Sequence, residues 1–132
     1  MNKKPFKTDQ APAAIGPYSQ AIESNGFLFL SGQIPIDPKT NTVIPSPSII
    51  DQTTRVLQNI ENLLKARDLS LAHVIKTTIF LKNISDFQAM NEVYASFFSK
   101  KPADTPPARS AVEVARLPKD VLIEIEAIAT LT

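Results

Sequence analysis

The segment Val121-Leu122-Ile123-Glu124-Ile125-Glu126-Ala127-Ile128-Ala129-Thr130-Leu131 restricts the fold more than any other feature of the chain. Side chains of an extended strand point alternately to opposite faces. One face therefore carries Val121, Ile123, Ile125, Ala127, Ala129 and Leu131, all apolar, while the other sets Glu124 and Glu126 between Leu122 and Ile128. A strand this apolar on both faces belongs inside a sheet that is covered on each side.

The remaining segments supply partners for it. Tyr18 to Ser24 and Phe27 to Ile34 flank Asn25-Gly26, a dipeptide suited to the positive backbone angles of a type I′ hairpin turn. Val74 to Leu81 is rich in β-branched residues, and its alternation predicts Ile75, Ile79 and Leu81 on one face. Ala108 to Ala115 reads as a further strand, joined to the last through Leu117-Pro118-Lys119-Asp120.

Helical spacing appears twice. Val56, Leu57, Ile60, Leu63 and Leu64 mark a first helix of about five turns, with Ser48 and Asp51 placed as a capping box. Ser85 and Gln88 open a second, whose Phe87, Met90, Val93, Tyr94, Phe97 and Phe98 form one apolar stripe. Pro35, Pro38, Pro45 and Pro47 make a surface connector, and Lys100 to Pro107 is a break. The expected order is β, β, α, β, α, β, β in one α+β domain spanning residues 1–132. Two helices cover only one face of such a sheet, so the apolar second face predicts a homo-oligomer.

Charge and composition exclude several functions. Fourteen basic and thirteen acidic residues leave a net charge of +1 with no basic run, which gives nucleic acid no electrostatic footing. The chain has no cysteine, hence no disulfide or thiolate chemistry, and its single histidine, His73, is expected at the surface. No metal-binding motif, phosphate loop or dinucleotide fingerprint occurs, so neither metal nor cofactor is expected. The N-terminus lacks the apolar stretch of a signal peptide and no run is long enough to span a bilayer, which predicts a cytoplasmic protein that does not enter membranes.

A few residues stand out as carriers of chemistry. Arg109 lies within the alternating run Ala108-Arg109-Ser110-Ala111-Val112-Glu113, among small and apolar neighbours. Its planar fork either binds a ligand carboxylate or pairs with Glu113, Glu124 or Glu126. Glu124 and Glu126 share a strand face, where a partly buried carboxylate moves protons and a solvated one merely decorates an edge. Tyr18, after Gly16-Pro17, lines a pocket or finishes a turn. Gly32, after Ser31, permits close approach of a ligand or another backbone, and Asn91 sits at the boundary of the second helix's core stripe.

The segments Ala11-Pro12-Ala13-Ala14-Ile15-Gly16-Pro17-Tyr18-Ser19-Gln20-Ala21, Ser31-Gly32-Gln33-Ile34-Pro35 and Pro107-Ala108-Arg109-Ser110-Ala111-Val112-Glu113-Val114-Ala115-Arg116-Leu117-Pro118 closely resemble the RidA (YjgF) family of reactive-intermediate deaminases. Lys76 to Lys82 and Ile123 to Ala127 extend the resemblance over nearly the whole chain. It implies a chorismate-mutase-like homotrimer whose sheets face a central barrel, with sites in the clefts between subunits. It also implies hydrolysis of 2-aminoacrylate/2-iminopropanoate and 2-iminobutanoate, released by pyridoxal-phosphate enzymes, to 2-oxo acids and ammonia.

By the same resemblance, Arg109 holds the substrate carboxylate and Glu124 directs the attacking water, while the backbone at Ala111 contacts the imine nitrogen. Tyr18, Ser31, Gly32 and Asn91 shape the pocket. Many relatives carry cysteine at the position of Ala111, so thiol-dependent regulation is not expected here, and the Lys100 to Pro107 loop is slightly long. Relatives described as RNA-binding translation inhibitors, ribonucleases, ligand sensors or holdases define the alternative.

Overall fold

A computed structural model describes residues 2–132. Its main sheet has six strands in the order β1-β2-β3-β8-β6-β7, built from β1 (Lys4–Phe6), β2 (Ala21–Ser24), β3 (Phe27–Gln33), β6 (Val74–Leu81), β7 (Ala108–Glu113) and β8 (Ile123–Thr130). Only β6 and β7 run parallel. The other pairs are antiparallel, so the sheet is mixed and the fold α+β. The helices are α1 (Ile49–Ala66) and α2 (Phe87–Phe98).

The apolar faces decide the layering. Leu28, Ile79, Leu81, Ile123 and Ile125 from the sheet pack with Val56, Leu57, Ile60, Leu63 and Leu64 of α1 and Met90 of α2, all of them removed from solvent. Burying each such side chain contributes about 1.5–3 kcal/mol. Both helices lie on this side. Phe29 (42% exposed) and Val112 (44%) belong to the opposite face, which no helix among the described residues covers.

The hairpin turn forms as expected, with Asn25 at φ 51° and Gly26 at φ 83°. Several other expectations need correction. The first strand of that hairpin begins at Ala21 instead of Tyr18, and Lys4–Phe6 adds an edge strand without a periodic signature. The proline-rich connector holds a small antiparallel pair, β4 (Ile36–Asp37) and β5 (Thr42–Val43), with Asn41 at φ 57° between them. Strands β7 and β8 are each shorter than the sequence runs that predict them.

Ser48 caps α1 by accepting from the Asp51 amide, but Asp51 turns its carboxylate to the Ser46 hydroxyl, so the box is half made. Ser85 does not cap α2. A 3-10 turn, Ile84–Asp86, runs straight into that helix with no side-chain cap. On α2 the deepest residues are Met90, Tyr94 and Phe98, whereas Phe87 at the first turn is 36% exposed.

Two bulges shift the phase of the alternation. In β6 the pairing passes from Val74↔Ala129 to Lys76↔Ile128, leaving Ile75 unmatched and exposed, and the inward set becomes Val74, Thr77, Ile79 and Leu81. In β3 it passes from Leu30↔Ala127 to Gln33↔Ile125, so Ser31 and Gly32 together face the single residue Glu126. This second bulge builds part of the site.

Candidate functional site

The bulge at Ser31-Gly32 breaks the β3–β8 ladder and frees backbone for other uses. Ser31 N donates to the Gln20 carbonyl (3.0 Å) and Ser31 Oγ to the Ser19 carbonyl (2.6 Å), which draws the segment before β2 against the bulge. Buried Gln20 holds that segment from the other side, donating to the Thr8 and Pro12 carbonyls (3.0 and 2.7 Å) and accepting from Thr8 N (2.7 Å). Between them opens a cleft of about 640 Å³ lined by Tyr18, Ser31, Gly32, Lys119, Glu124 and Glu126, among others. Tyr18 lies in a loop, and its amide donates to the Gly16 carbonyl at 2.9 Å.

Gly32 is there for space. A Cβ at this position would meet Glu124 Oε2 at 1.9 Å and Glu124 Cδ at 2.9 Å. The missing side chain is what lets the carboxylate lie over the bulge. Glu124 is half-buried, and that burial, followed by repulsion from Glu126, holds its carboxyl above the usual carboxylate range. Replacing Gly32 with alanine forces the end of a flexible side chain aside and leaves the fold alone. Gly32→Ala is therefore expected to move the Glu124 carboxylate off the bulge with an unchanged melting temperature, checked by a crystal structure of the variant beside thermal unfolding.

Arg109 lies elsewhere. On β7 it shares a rung with Thr77 of β6, whereas Glu124 of β8 shares its rung with Phe80 and Val112. The Thr77 rung faces the helices and the Phe80 rung faces away from them, so Arg109 and Glu124 point to opposite faces of the sheet. An ion pair between Arg109 and Glu124 or Glu126 is thereby excluded within one chain. Nor does Glu113 take it, because that carboxylate accepts from Ile84 N at 2.9 Å. Among the described residues the ion pairs are Glu61–Lys65, Glu23–Arg67 and Lys82–Asp120, and Arg109 takes part in none.

Neutral groups hold the guanidinium instead. Nη1 donates to Asn91 Oδ1 at 2.7 Å, and Cζ lies 4.8 Å from the Tyr94 ring centroid and 5.5 Å from that of Phe87. Phe87, Asn91 and Tyr94 stand at i, i+4 and i+7 on α2, so one helical stripe supplies the whole cradle. Tyr94 lies in the core as its place on the apolar stripe predicts, whereas Phe87 is partly exposed; the contact of both rings with the guanidinium is signalled in the sequence only by their spacing from Asn91. Ala111, two residues along β7, faces the same way as Arg109 and packs on the core edge.

The candidate residues thus form two half-sites. Tyr18, Ser31, Gly32 and Glu124 gather at the cleft, and Asn91, Arg109 and Ala111 gather at the sheet edge on the helix-covered side. His73 belongs to neither, since its Nδ1 accepts from Ser70 N at 3.1 Å in a local cap. Among the described residues, no helix is long and apolar enough to cross a membrane.

The family model described as Endoribonuclease L-PSP matches residues 8–131. The chain belongs to this family, the RidA (YjgF) family. A RutC family protein of Pyrococcus horikoshii is 57% identical over 127 residues, which cover 96% of this chain and 97% of that protein. The 2-iminobutanoate/2-iminopropanoate deaminase of Salmonella typhimurium is 48% identical over 126 residues, 96% of each chain. Among solved structures, Escherichia coli TdcF with bound serine superposes with a TM-score of 0.88 at 45% identity, covering 96% of this chain and 98% of that one. RidA relatives therefore match this chain nearly end to end.

Proposed function

We propose that this RidA-family chain hydrolyses reactive 2-imino acids, 2-iminopropanoate and 2-iminobutanoate among them, at sites completed between neighbouring copies of a homotrimer. The observation that carries this reading is an arginine held ready by neutral groups and left free for an anion, with a proton-transfer carboxylate on the opposite sheet face. Two half-sites that face apart in one chain can meet only when a second copy turns its edge toward the first. The uncovered face carrying Phe29 and Val112 gives that copy apolar surface to bury. A relative named for this deamination and a family structure with bound serine support a small amino-acid-like ligand.

In this reading the substrate carboxylate takes a bidentate bond from Arg109 of the partner subunit, which places the C=N carbon over the Ser31-Gly32 bulge. The backbone at Ala111 of the partner subunit meets the imine nitrogen, and Tyr18 and Ser31 shape the walls together with Asn91 of the partner subunit. Glu124 takes a proton from a water as its oxygen bonds to the C=N carbon. The attack leaves the nitrogen of the protonated imine as a neutral amine; Glu124 returns the proton to it, the C–N bond breaks as the carbonyl forms, and the proton of the new hydroxyl passes to the Glu124 carboxylate and on to solvent, releasing ammonia and the 2-oxo acid. No cofactor takes part. A carboxyl held above the usual range suits both steps, since it is a stronger base toward water than an ordinary carboxylate and keeps the proton it takes for delivery to nitrogen.

Charge on Glu124 is required in the first step, so activity falls as pH drops through its raised pKa. Glu126 helps to raise it, after burial. Glu126→Gln removes that repulsion and should move the acid limb of the kcat/KM profile to lower pH; a limb that stays in place or moves up contradicts the reading. The function itself is tested by coupling the protein to a threonine dehydratase and trapping 2-iminobutanoate with semicarbazide. Suppressed semicarbazone formation is expected, whereas undiminished trapping, joined to salt-sensitive RNA binding, would favour the nucleic-acid alternative.

A further inference from the structure

Tyr94 does more than fill the core. It is 5% exposed, and its hydroxyl lies 2.7 Å from Thr77 Oγ1, itself fully buried. Thr77 occupies the β6 position paired with Arg109 on β7, so this hydrogen bond ties the ring to the rung beside the arginine. The ring centroid is 4.8 Å from the guanidinium carbon. Burial holds the phenol above its ordinary pKa, so the hydroxyl stays protonated and available to this bond.

The geometry gives the tether a purpose. A guanidinium with no carboxylate partner is held by one hydrogen bond to Asn91 and by two aromatic faces. Attraction to a ring face is only loosely directional, so a ring able to slide would let the fork turn about its Asn91 bond. Bidentate binding of a carboxylate needs the plane of the fork fixed beforehand. Phe87, partly exposed at the first turn of α2, has no polar anchor with which to fix it.

We propose that Tyr94, tethered through Thr77, is a positioning residue that sets the plane of the Arg109 guanidinium for an incoming carboxylate. The proposal rests on Arg109 being the substrate anchor. Tyr94 touches no reacting atom and acts through Arg109 alone. Asn91 then fixes where the guanidinium sits, and the Tyr94–Thr77 pair fixes how it is turned.

Thr77 offers a clean test because its two neighbours in chemistry separate packing from tethering. Thr77→Val keeps the branched shape and removes the hydroxyl, while Thr77→Ser keeps the hydroxyl and removes a buried methyl. KM and kcat for 2-iminobutanoate, together with the Kd for 2-oxobutanoate by calorimetry, are measured for these two variants, Tyr94→Phe and Arg109→Ala. Thr77→Val and Tyr94→Phe should each raise KM and Kd about threefold to tenfold, with kcat nearly unchanged and Thr77→Ser close to wild type.

Damage greater in Thr77→Ser than in Thr77→Val would mean a packing role and overturn the proposal. So would wild-type binding in all the Thr77 and Tyr94 variants while Arg109→Ala loses it. If the unaltered protein neither binds 2-oxobutanoate nor hydrolyses the imine, the anchor reading fails first and this one with it. Should Tyr94→Phe fold poorly, the Thr77 pair decides alone.

Discussion

Arg109→Ala should lose about a hundredfold to a thousandfold in kcat/KM for 2-iminobutanoate, with most of the loss in KM. The guanidinium makes no ion pair among the described residues, so its removal strands no buried carboxylate, and the half-buried Asn91, at the edge of the core stripe of α2, can turn to solvent. Stability should therefore change by no more than about 1–2 kcal/mol, chiefly from the lost aromatic contacts. In the proposed reaction two charge-assisted bonds to the substrate carboxylate are lost together, and these would set the size of the kinetic effect. Imines of this kind already hydrolyse in water, so a loss of several kcal/mol removes most of what the protein contributes. Steady-state kinetics beside thermal unfolding checks both halves: full activity in a folded Arg109→Ala protein would remove the arginine from the mechanism.

Glu124→Gln should cost kcat about a hundredfold to ten-thousandfold, with KM little changed. The amide fits the same space over Gly32, so the bulge and the cleft persist. What disappears, on the proposed mechanism, is the ability to accept a proton from water and return it to nitrogen. The acid limb that belongs to Glu124 should vanish from the residual activity as well. A Glu124→Gln protein that keeps both its rate and its acid limb would show that another group handles the proton.

Much of the fold follows from local pattern. Strict alternation places β8 and its buried face, Asn25-Gly26 places the first hairpin, and the spacing of Val56, Leu57, Ile60, Leu63 and Leu64 places α1. The misses have a common cause in distant pairing. Ile75 falls out of phase because β6 carries one residue more than its partner β8 at that point, and no window on β6 alone contains this information. β1 has three residues and the β4–β5 pair two each, too few to show a period.

The site was legible as residues but not as geometry. Arg109 is visible in the sequence as a charge inside a strand of small residues, and Glu124 as a carboxylate between apolar neighbours. That the two face apart depends on the order β8-β6-β7 and on the pairing of each strand, which no single segment reveals. Tyr94 is core as its helical period predicts, but a 3.6-residue period cannot tell that its ring also lies beneath a guanidinium, nor that Phe87 on the same stripe is partly exposed. Glycine at position 32 predicts room for a ligand or backbone, and the structure fills that room with Glu124.

Complementation between two inactive variants examines the composite site most directly. Arg109→Ala protein retains the cleft half-site and Glu124→Gln protein retains the arginine half-site, so unfolding and refolding them together in equal amounts produces mixed assemblies. If each site joins Glu124 of one copy to Arg109 of the next, about a quarter of the sites in random mixtures regain both groups, and deaminase activity should rise to about that share of the unaltered protein's. A mixture no more active than its two inactive parents, with mixed assemblies confirmed by mass, would place both residues in one chain's site or outside the chemistry, and would contradict the account.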